Sequence, residues 1–246
     1  EARDWEAMAA GRDDRGRSAL FVGDIGDNQG LWPEVAVYRV AEPAALRDAT
    51  VPAVRYRLRY ADGPRDAEAL LVDPRSNRLY VASKDPAGGG LYRAPARLRT
   101  DRVNLLHRVA RVPPVVTDGA FTPDGRAYVL RDYQAAYVYA AAGRRRVGEL
   151  PLPIQLQGES ITVSADGRSV LAGSEGYGSE VWRVPLPTPA LARVTPTTRP
   201  PPARGPAAAD RPATGGRSSW LPPTLLVGGV AVLLAAVLVL LAGRRR

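Results

Sequence analysis

Apolar and polar residues alternate with a period of two over short runs, and the runs are punctuated by Asp, Asn, Gly and Ser. The clearest run is Gln157 to Pro185, QGESITVSADGRSVLAGSEGYGSEVWRVP. Ile161 and Val163 alternate with Ser160 and Thr162, the signature of a half-buried strand. Ala165-Asp166-Gly167-Arg168 is a turn, because Asp can bond the backbone ahead of it and Gly tolerates positive φ. Val170 to Ala172 forms a second strand, Gly173 to Gly178 a loop, and Val181 to Val184 a third strand.

The same unit occurs three more times. Asp66 to Ala94 reads DAEALLVDPRSNRLYVASKDPAGGGLYRA, and Thr117 to Ala140 reads TDGAFTPDGRAYVLRDYQAAYVYA. A looser copy begins at Trp5-Glu6-Ala7-Met8 and continues, after a turn from Gly11 to Arg17, into Ala19 to Val22. Each copy opens with an acidic residue: Glu6, Glu68, Asp118 and Glu159, at spacings of 62, 50 and 41. Repeats of roughly 40 to 50 residues suit the four-stranded blades of a β-propeller. The extra length of the first copy can sit in loops. Val54 to Tyr60, Val103 to Ala110 and Arg146 to Leu150 are available as fourth strands. Glu1 leads almost directly into a repeat, so an N-terminally truncated propeller is expected, with blades before Glu1 completing about six. No helical period of useful length interrupts residues 1–186, the expected propeller segment.

The pattern then changes. Residues 187–219 are rich in Pro, Ala, Thr and Gly and cannot bury enough surface to fold, so a disordered, solvated stalk is expected. Leu225 to Ala242 is an uninterrupted apolar and glycine run of 18 residues. At ~1.5 Å per residue it would span about 27 Å, close to the hydrocarbon thickness of a bilayer. Trp220 precedes it as an interfacial aromatic, and Arg244 to Arg246 close the chain. Residues 220–246 therefore read as a transmembrane helix with a cytoplasmic Arg tail, leaving the repeats extracytoplasmic on a single-pass membrane protein at the cell surface. Leu221-Pro222-Pro223-Thr224 resembles a sortase sorting signal, but Leu225 stands where that pattern has Gly. A retained membrane anchor is the reading adopted.

Charge changes the picture less than its total suggests. The net charge is +9. Residues 1–190 hold 26 basic and 24 acidic side chains, whereas 191–246 hold 8 and 1. The excess belongs to the tail, and with no accompanying motif nucleic acid is not an expected partner. There is no cysteine, which excludes disulfides, thiolate metal sites and cysteine nucleophiles. His107 is the single histidine and lies on an expected outer strand, so neither a multi-histidine metal site nor a Ser-His-Asp triad is favoured, and no G-x-S-x-G elbow occurs.

Candidate chemistry rests on the four opening acids. The first strand of a blade lines the central channel, so Glu6, Glu68, Asp118 and Glu159 could converge on one axis. Clustered carboxylates repel unless a cation neutralises them, and calcium takes several hard oxygen ligands. Alternatively, each carboxylate bonds backbone amides or a neighbouring Arg. Asp24, Asp27 and Asn28 form a second oxygen cluster, readable as calcium ligands or as turn-stabilising Asx bonds. Glu175, Lys84 and Arg131 occupy the position equivalent to Asp24 in the later copies.

DWEAMA, LFVGDIGDN, DAEALLVDP, TDGAFTPDGR and QGESIT together resemble a group of secreted or membrane-anchored actinobacterial β-propeller proteins. They are more distantly similar to esterase-like phytase propellers. The second resemblance implies calcium in acidic clusters and phosphate-ester hydrolysis aided by basic residues, of which only Lys84 and Arg131 stand near the expected channel. The expected function is a binding or scaffold module for an extracellular ligand or protein, with calcium as a candidate ligand. A calcium-dependent phosphoesterase, or another metal-dependent hydrolase, is the alternative.

Overall fold

In a computed structural model, residues 3–45, 47–187 and 190 are described. They contain fifteen strands: β1 (Trp5–Arg12), β2 (Ser18–Asp24), β3 (Val35–Ala41), β4 (Ala53–Tyr60), β5 (Ala67–Asp73), β6 (Arg78–Ser83), β7 (Gly90–Arg93), β8 (Asn104–Arg111), β9 (Asp118–Phe121), β10 (Ala127–Arg131), β11 (Ala135–Ala140), β12 (Arg146–Pro151), β13 (Ser160–Val163), β14 (Ser169–Gly173) and β15 (Trp182–Pro185). The architecture is all-β. The expected stalk and membrane helix lie outside the described residues, apart from Pro187 and Ala190. Among the described residues no helix is long and apolar enough to cross a membrane.

The strands form four consecutive antiparallel meanders: β1–β4, β5–β8, β9–β12 and β13–β15. Their first strands β1, β5, β9 and β13 lie side by side in that order. The first two meanders are also joined through their last strands. Leu58, Arg59 and Tyr60 of β4 pair in parallel with Asn104, Leu105 and Leu106 of β8, which makes one sheet of eight strands. Its end strands, β1 and β5, are neighbours, so the sheet curls almost back on itself.

The period-two pattern explains the packing. In β5, Leu70 and Val72 face the first meander in a core with Phe21, Val37, Tyr56 and Leu58. The alternate residues Ala69 and Leu71 face the third meander in a core with Tyr128 and Leu130. A third core, with Val129 and Val138 against Ile161 and Val170, joins the third and fourth meanders. A strand buried on both faces must be apolar at consecutive positions, as ALLV is. The first hairpins carry the expected turn chemistry. Asp73 Oδ1 accepts from the Arg75 amide at 3.0 Å, and Gly125 and Gly167 sit at φ 65° and 69°. Asn77, at φ 53°, accepts from the Arg12 amide at 2.8 Å and donates to the Arg12 carbonyl at 2.9 Å, so it ties the first two hairpins together.

The fourth meander differs from the four-stranded expectation. It has three strands among the described residues. β15 ends on Pro185 and Leu186-Pro187 follow it, and two prolines in three residues remove the donors a further ladder needs. Leu186 instead packs into the third core.

The parallel seam between β4 and β8 is held by Asn104, whose residue is 2% exposed. Its Nδ2 donates to the carbonyls of Arg57 at 3.0 Å and Arg99 at 2.9 Å, and its Oδ1 accepts from the Arg99 amide at 2.8 Å. Asn104→Ala removes all three of these partly buried bonds. The expected cost is about 1–3 kcal/mol. The thermal midpoint should fall by roughly 2–4 °C for each kcal/mol, measured by differential scanning calorimetry.

Candidate functional site

The first strands start at one end of the meander array, and this brings three of the four opening acids together. Glu6, Glu68 and Glu159, with Thr117, Ser160, Ser174 and Glu175, line one pocket of about 180 Å³. Every meander thus contributes to its wall. Four carboxylates and three hydroxyls face it, and none of these lining residues is a base.

The polar contacts run across the meanders. Lys84, the one lysine of the chain, follows β6 and donates to Glu68 Oε1 at 2.5 Å and to the Tyr133 hydroxyl at 2.9 Å. Tyr133 donates to Glu159 Oε1 at 3.1 Å. Gln157 Nε2 donates to Glu159 Oε2 at 3.1 Å and to Glu175 Oε2 at 2.9 Å. Glu68, Lys84, Tyr133, Glu159, Gln157 and Glu175 therefore form a continuous chain from the second meander to the fourth.

Asp118 lies apart from the pocket. Its Oδ1 accepts from the Gly119 amide at 2.7 Å and its Oδ2 from the Ile161 amide at 2.7 Å, which pins β9 to β13. Beside it, Arg131 is fully buried. Nη1 donates to the carbonyls of Ser160 and Gly173, both at 3.0 Å, and Nε to the Asp132 carbonyl at 3.0 Å. Gly158 is required here, because a Cβ would lie 2.0 Å from Arg131 Nη2. Arg131 is thus a cationic staple between the third and fourth meanders, inaccessible to a ligand.

The second oxygen cluster is structural in the same sense. Asp24 is fully buried and its Oδ1 accepts from the amides of Arg3 at 2.9 Å and Asp4 at 2.8 Å. Asp27 accepts from the amides of Leu31 at 3.0 Å and Trp32 at 2.9 Å, while its own amide donates to Asp66 Oδ1 at 2.8 Å. Asn28 Nδ2 reaches Asp4 Oδ2 at 3.3 Å.

Burial and crowding shift the carboxyls upward. Glu6 is raised to about 8 by loss of solvent and by the facing Asp4 carboxyl, with Glu68 and Asp66 adding repulsion. Glu68 is raised to about 7 by burial, against the opposing pull of Lys84. Burial disfavours the Lys84 ammonium, but its bonds to Glu68 and Tyr133 prevail and raise it, so Lys84 remains the charged partner. Asp118 is raised to about 7 by burial, against its two amide donors and the nearby Arg131.

These contacts also test calcium. A calcium ion takes six to eight oxygens around one point. Here Glu68 holds an ammonium, Asp118 holds two amides, Glu159 holds a phenol and an amide, and Asp24 and Asp27 hold backbone amides. Among the described residues no group of three or more His, Cys, Asp or Glu side chains is placed to hold a metal ion. At Glu68 the Lys84 ammonium takes the electrostatic role that a cation would have. Tyr133 and Gln157 were not singled out by the sequence. Gln157 sits two residues before an opening acid, but no repeat of either residue marks it.

No family model matches the chain, and no curated protein matches it. Among solved structures it is similar to the Kuenenia stuttgartiensis hydrazine synthase, at 15% identity and a TM-score of 0.44, over 76% of this chain. The chain spans 46% of the length of that protein.

The raised carboxyls set a pH dependence. The folded state binds these protons more tightly than the unfolded chain, so their contribution to stability is complete below about pH 4 and is lost as pH rises through 7 to 8. Asp13, held down to about 2 by amide and guanidinium donors, contributes in the opposite sense below pH 4. The midpoint of thermal unfolding should peak near pH 5 and decline toward pH 8.5, and Glu6→Gln should flatten that decline. Scanning fluorimetry across this range is the check.

Proposed function

We propose that this chain is a binding module of the β-propeller type, in which the four meanders are blades and the pocket where they meet is the recognition mouth. In this reading residues 1–186 form the propeller segment, 187–219 the stalk and 220–246 the membrane anchor that displays it outside the cell. The observation that carries the proposal is a pocket among the described residues to which every meander brings a polar side chain. A site assembled from four separate repeats depends on all of them being folded, which suits recognition by a rigid scaffold.

The mouth favours cationic ligands. Its wall presents Glu6, Glu68, Glu159 and Glu175 with Thr117, Ser160 and Ser174 as further acceptors. An ammonium or guanidinium group entering there gains charge-assisted hydrogen bonds from the ionised carboxyls, while Glu6, raised to about 8, accepts as a neutral acid near pH 7. A phosphate ester meets the reverse field: Arg131 is fully buried and Lys84 is committed to Glu68 and Tyr133. The phosphoesterase reading therefore lacks accessible cations for its substrate and stands behind the binding reading.

Isothermal titration of the full chain in detergent with spermidine, with calcium and with inositol hexakisphosphate separates these readings. Saturable spermidine binding that Glu159→Gln weakens by about tenfold, a loss of roughly 1.4 kcal/mol, is the expected result. Phosphate release from the ester in the presence of calcium would overturn it in favour of the enzyme, as would absence of any cation binding.

A further inference from the structure

The connections of the meander array divide by charge. Those that close the mouth end are β2–β3, β4–β5, β6–β7, β8–β9, β10–β11, β12–β13 and β14–β15. Together they hold nine acidic and two basic side chains, Arg65 and Lys84. The seven connections at the opposite end hold eleven basic and seven acidic side chains. The near-neutral total of residues 1–190 hides this polarity. A compositional preference for arginine would act on both ends alike.

Most acids at the basic end are committed. Asp13 pairs with Arg17 at 2.7 Å, Asp14 with Arg39 at 2.8 Å and Asp101 with Arg99 at 3.0 Å. Asp124 accepts from the Arg126 amide and the Thr122 hydroxyl, and Asp166 from the Arg168 amide and the Ser164 hydroxyl, which closes their turns. Glu42 and Asp48, both in the β3–β4 connection, are the acids without such a partner among the described residues. Arg15, Arg47, Arg75, Arg97, Arg145 and Arg168, one from each of six connections, are exposed. None of them joins an ion pair among the described residues. They are spread over all four meanders, and so suit an extended anionic surface better than one small anion.

The course of the chain favours a lipid surface. β15 runs from the mouth end to the basic end, where Pro185 closes it, and the sequence reaches the apolar run Leu225 to Ala242 after 39 further residues. We propose that the basic end docks on anionic lipid headgroups and so turns the mouth away from the bilayer. This rests on the membrane-anchor reading of residues 220–246, because an anchored chain meets its own bilayer as an intramolecular encounter. Near an anionic surface each arginine raises the docked-to-free ratio by roughly fivefold. The acidic mouth end is repelled by the same surface, so the polarity sets orientation as well as affinity.

The test reconstitutes the full chain into phosphatidylcholine vesicles with and without phosphatidylglycerol. The chain has no cysteine, so Ala142→Cys at the basic end and Tyr177→Cys at the mouth end, both at exposed sites, can each carry a single fluorophore. Energy transfer to an acceptor on the headgroups reads which end approaches the bilayer. Transfer from the Ala142 site should rise with phosphatidylglycerol at ~0.1 M salt and fall back at ~1 M, where the screening length drops from about 10 to about 3 Å. Transfer from the Tyr177 site should stay low in both lipids. Arg97→Glu combined with Arg145→Glu should cut the docked-to-free ratio by about 25-fold or more. Unchanged far-ultraviolet circular dichroism excludes misfolding as the cause. Transfer from the Ala142 site that ignores lipid charge, or that survives the double substitution, would overturn the proposal. Docking onto soluble polyphosphate in place of anionic vesicles would overturn it too. Flotation with neutral vesicles reads the anchor separately. A chain that floats with anionic vesicles alone, and loses this in the double substitution, lacks the anchor but keeps the lipid-binding end; a chain that floats with neither has neither.

Discussion

Burial on both faces of a β-meander is the constraint from which the rest of this structure follows. A meander with one wet face can end anywhere, but one with two apolar faces must be sandwiched. The second meander meets this demand with Leu70 and Val72 on one side and Ala69 and Leu71 on the other. The third repeats the solution with Tyr128 and Leu130 on one side and Val129 and Val138 on the other. Stacking in this way puts the first strands side by side, and whatever residue opens each first strand is carried to a common end.

That placement creates the electrostatic problem of the mouth. Glu6, Glu68 and Glu159 are brought together by apolar packing, not by attraction between them. The chain answers with few cations. Lys84 neutralises Glu68 and, through Tyr133, is linked to Glu159. Arg131 lies beneath, bonded to main-chain carbonyls of the fourth meander. Burial first, and then the facing Asp4 carboxyl with Glu68 and Asp66 nearby, raises Glu6 to about 8. The stability that packing supplies is thus offset in part by crowded carboxyls.

Much of this was legible in the sequence. The recurrence of an acid before each apolar run marked the strand starts, and the Asp-Gly turns at Asp124 and Asp166 marked the first hairpins. The convergence of Glu6, Glu68 and Glu159 followed from that recurrence. Asp118 did not join them, because its carboxylate is captured by the Gly119 and Ile161 amides. Spacing places a residue in a repeat but does not say which way its side chain turns. The parallel seam between β4 and β8 was also beyond reach: it joins residues 46 positions apart through one buried Asn104, and Leu58 with Asn104 carries no periodic signal. Tyr133 and Gln157 escaped for the same reason, since each occurs once and its role depends on a neighbour from another meander.

The claim that the fold crowds these acids into a poorly solvated mouth is tested most directly by titrating them one by one. Side-chain carboxyl resonances of selectively ¹³C-labelled glutamate, followed by NMR across the pH range and assigned by Glu→Gln substitution, report each proton separately. The account predicts that Glu6 titrates at about 8 and Glu68 at about 7. Titration of Glu6 near the ordinary glutamate value of 4.5 would show a carboxylate in open water and contradict the account.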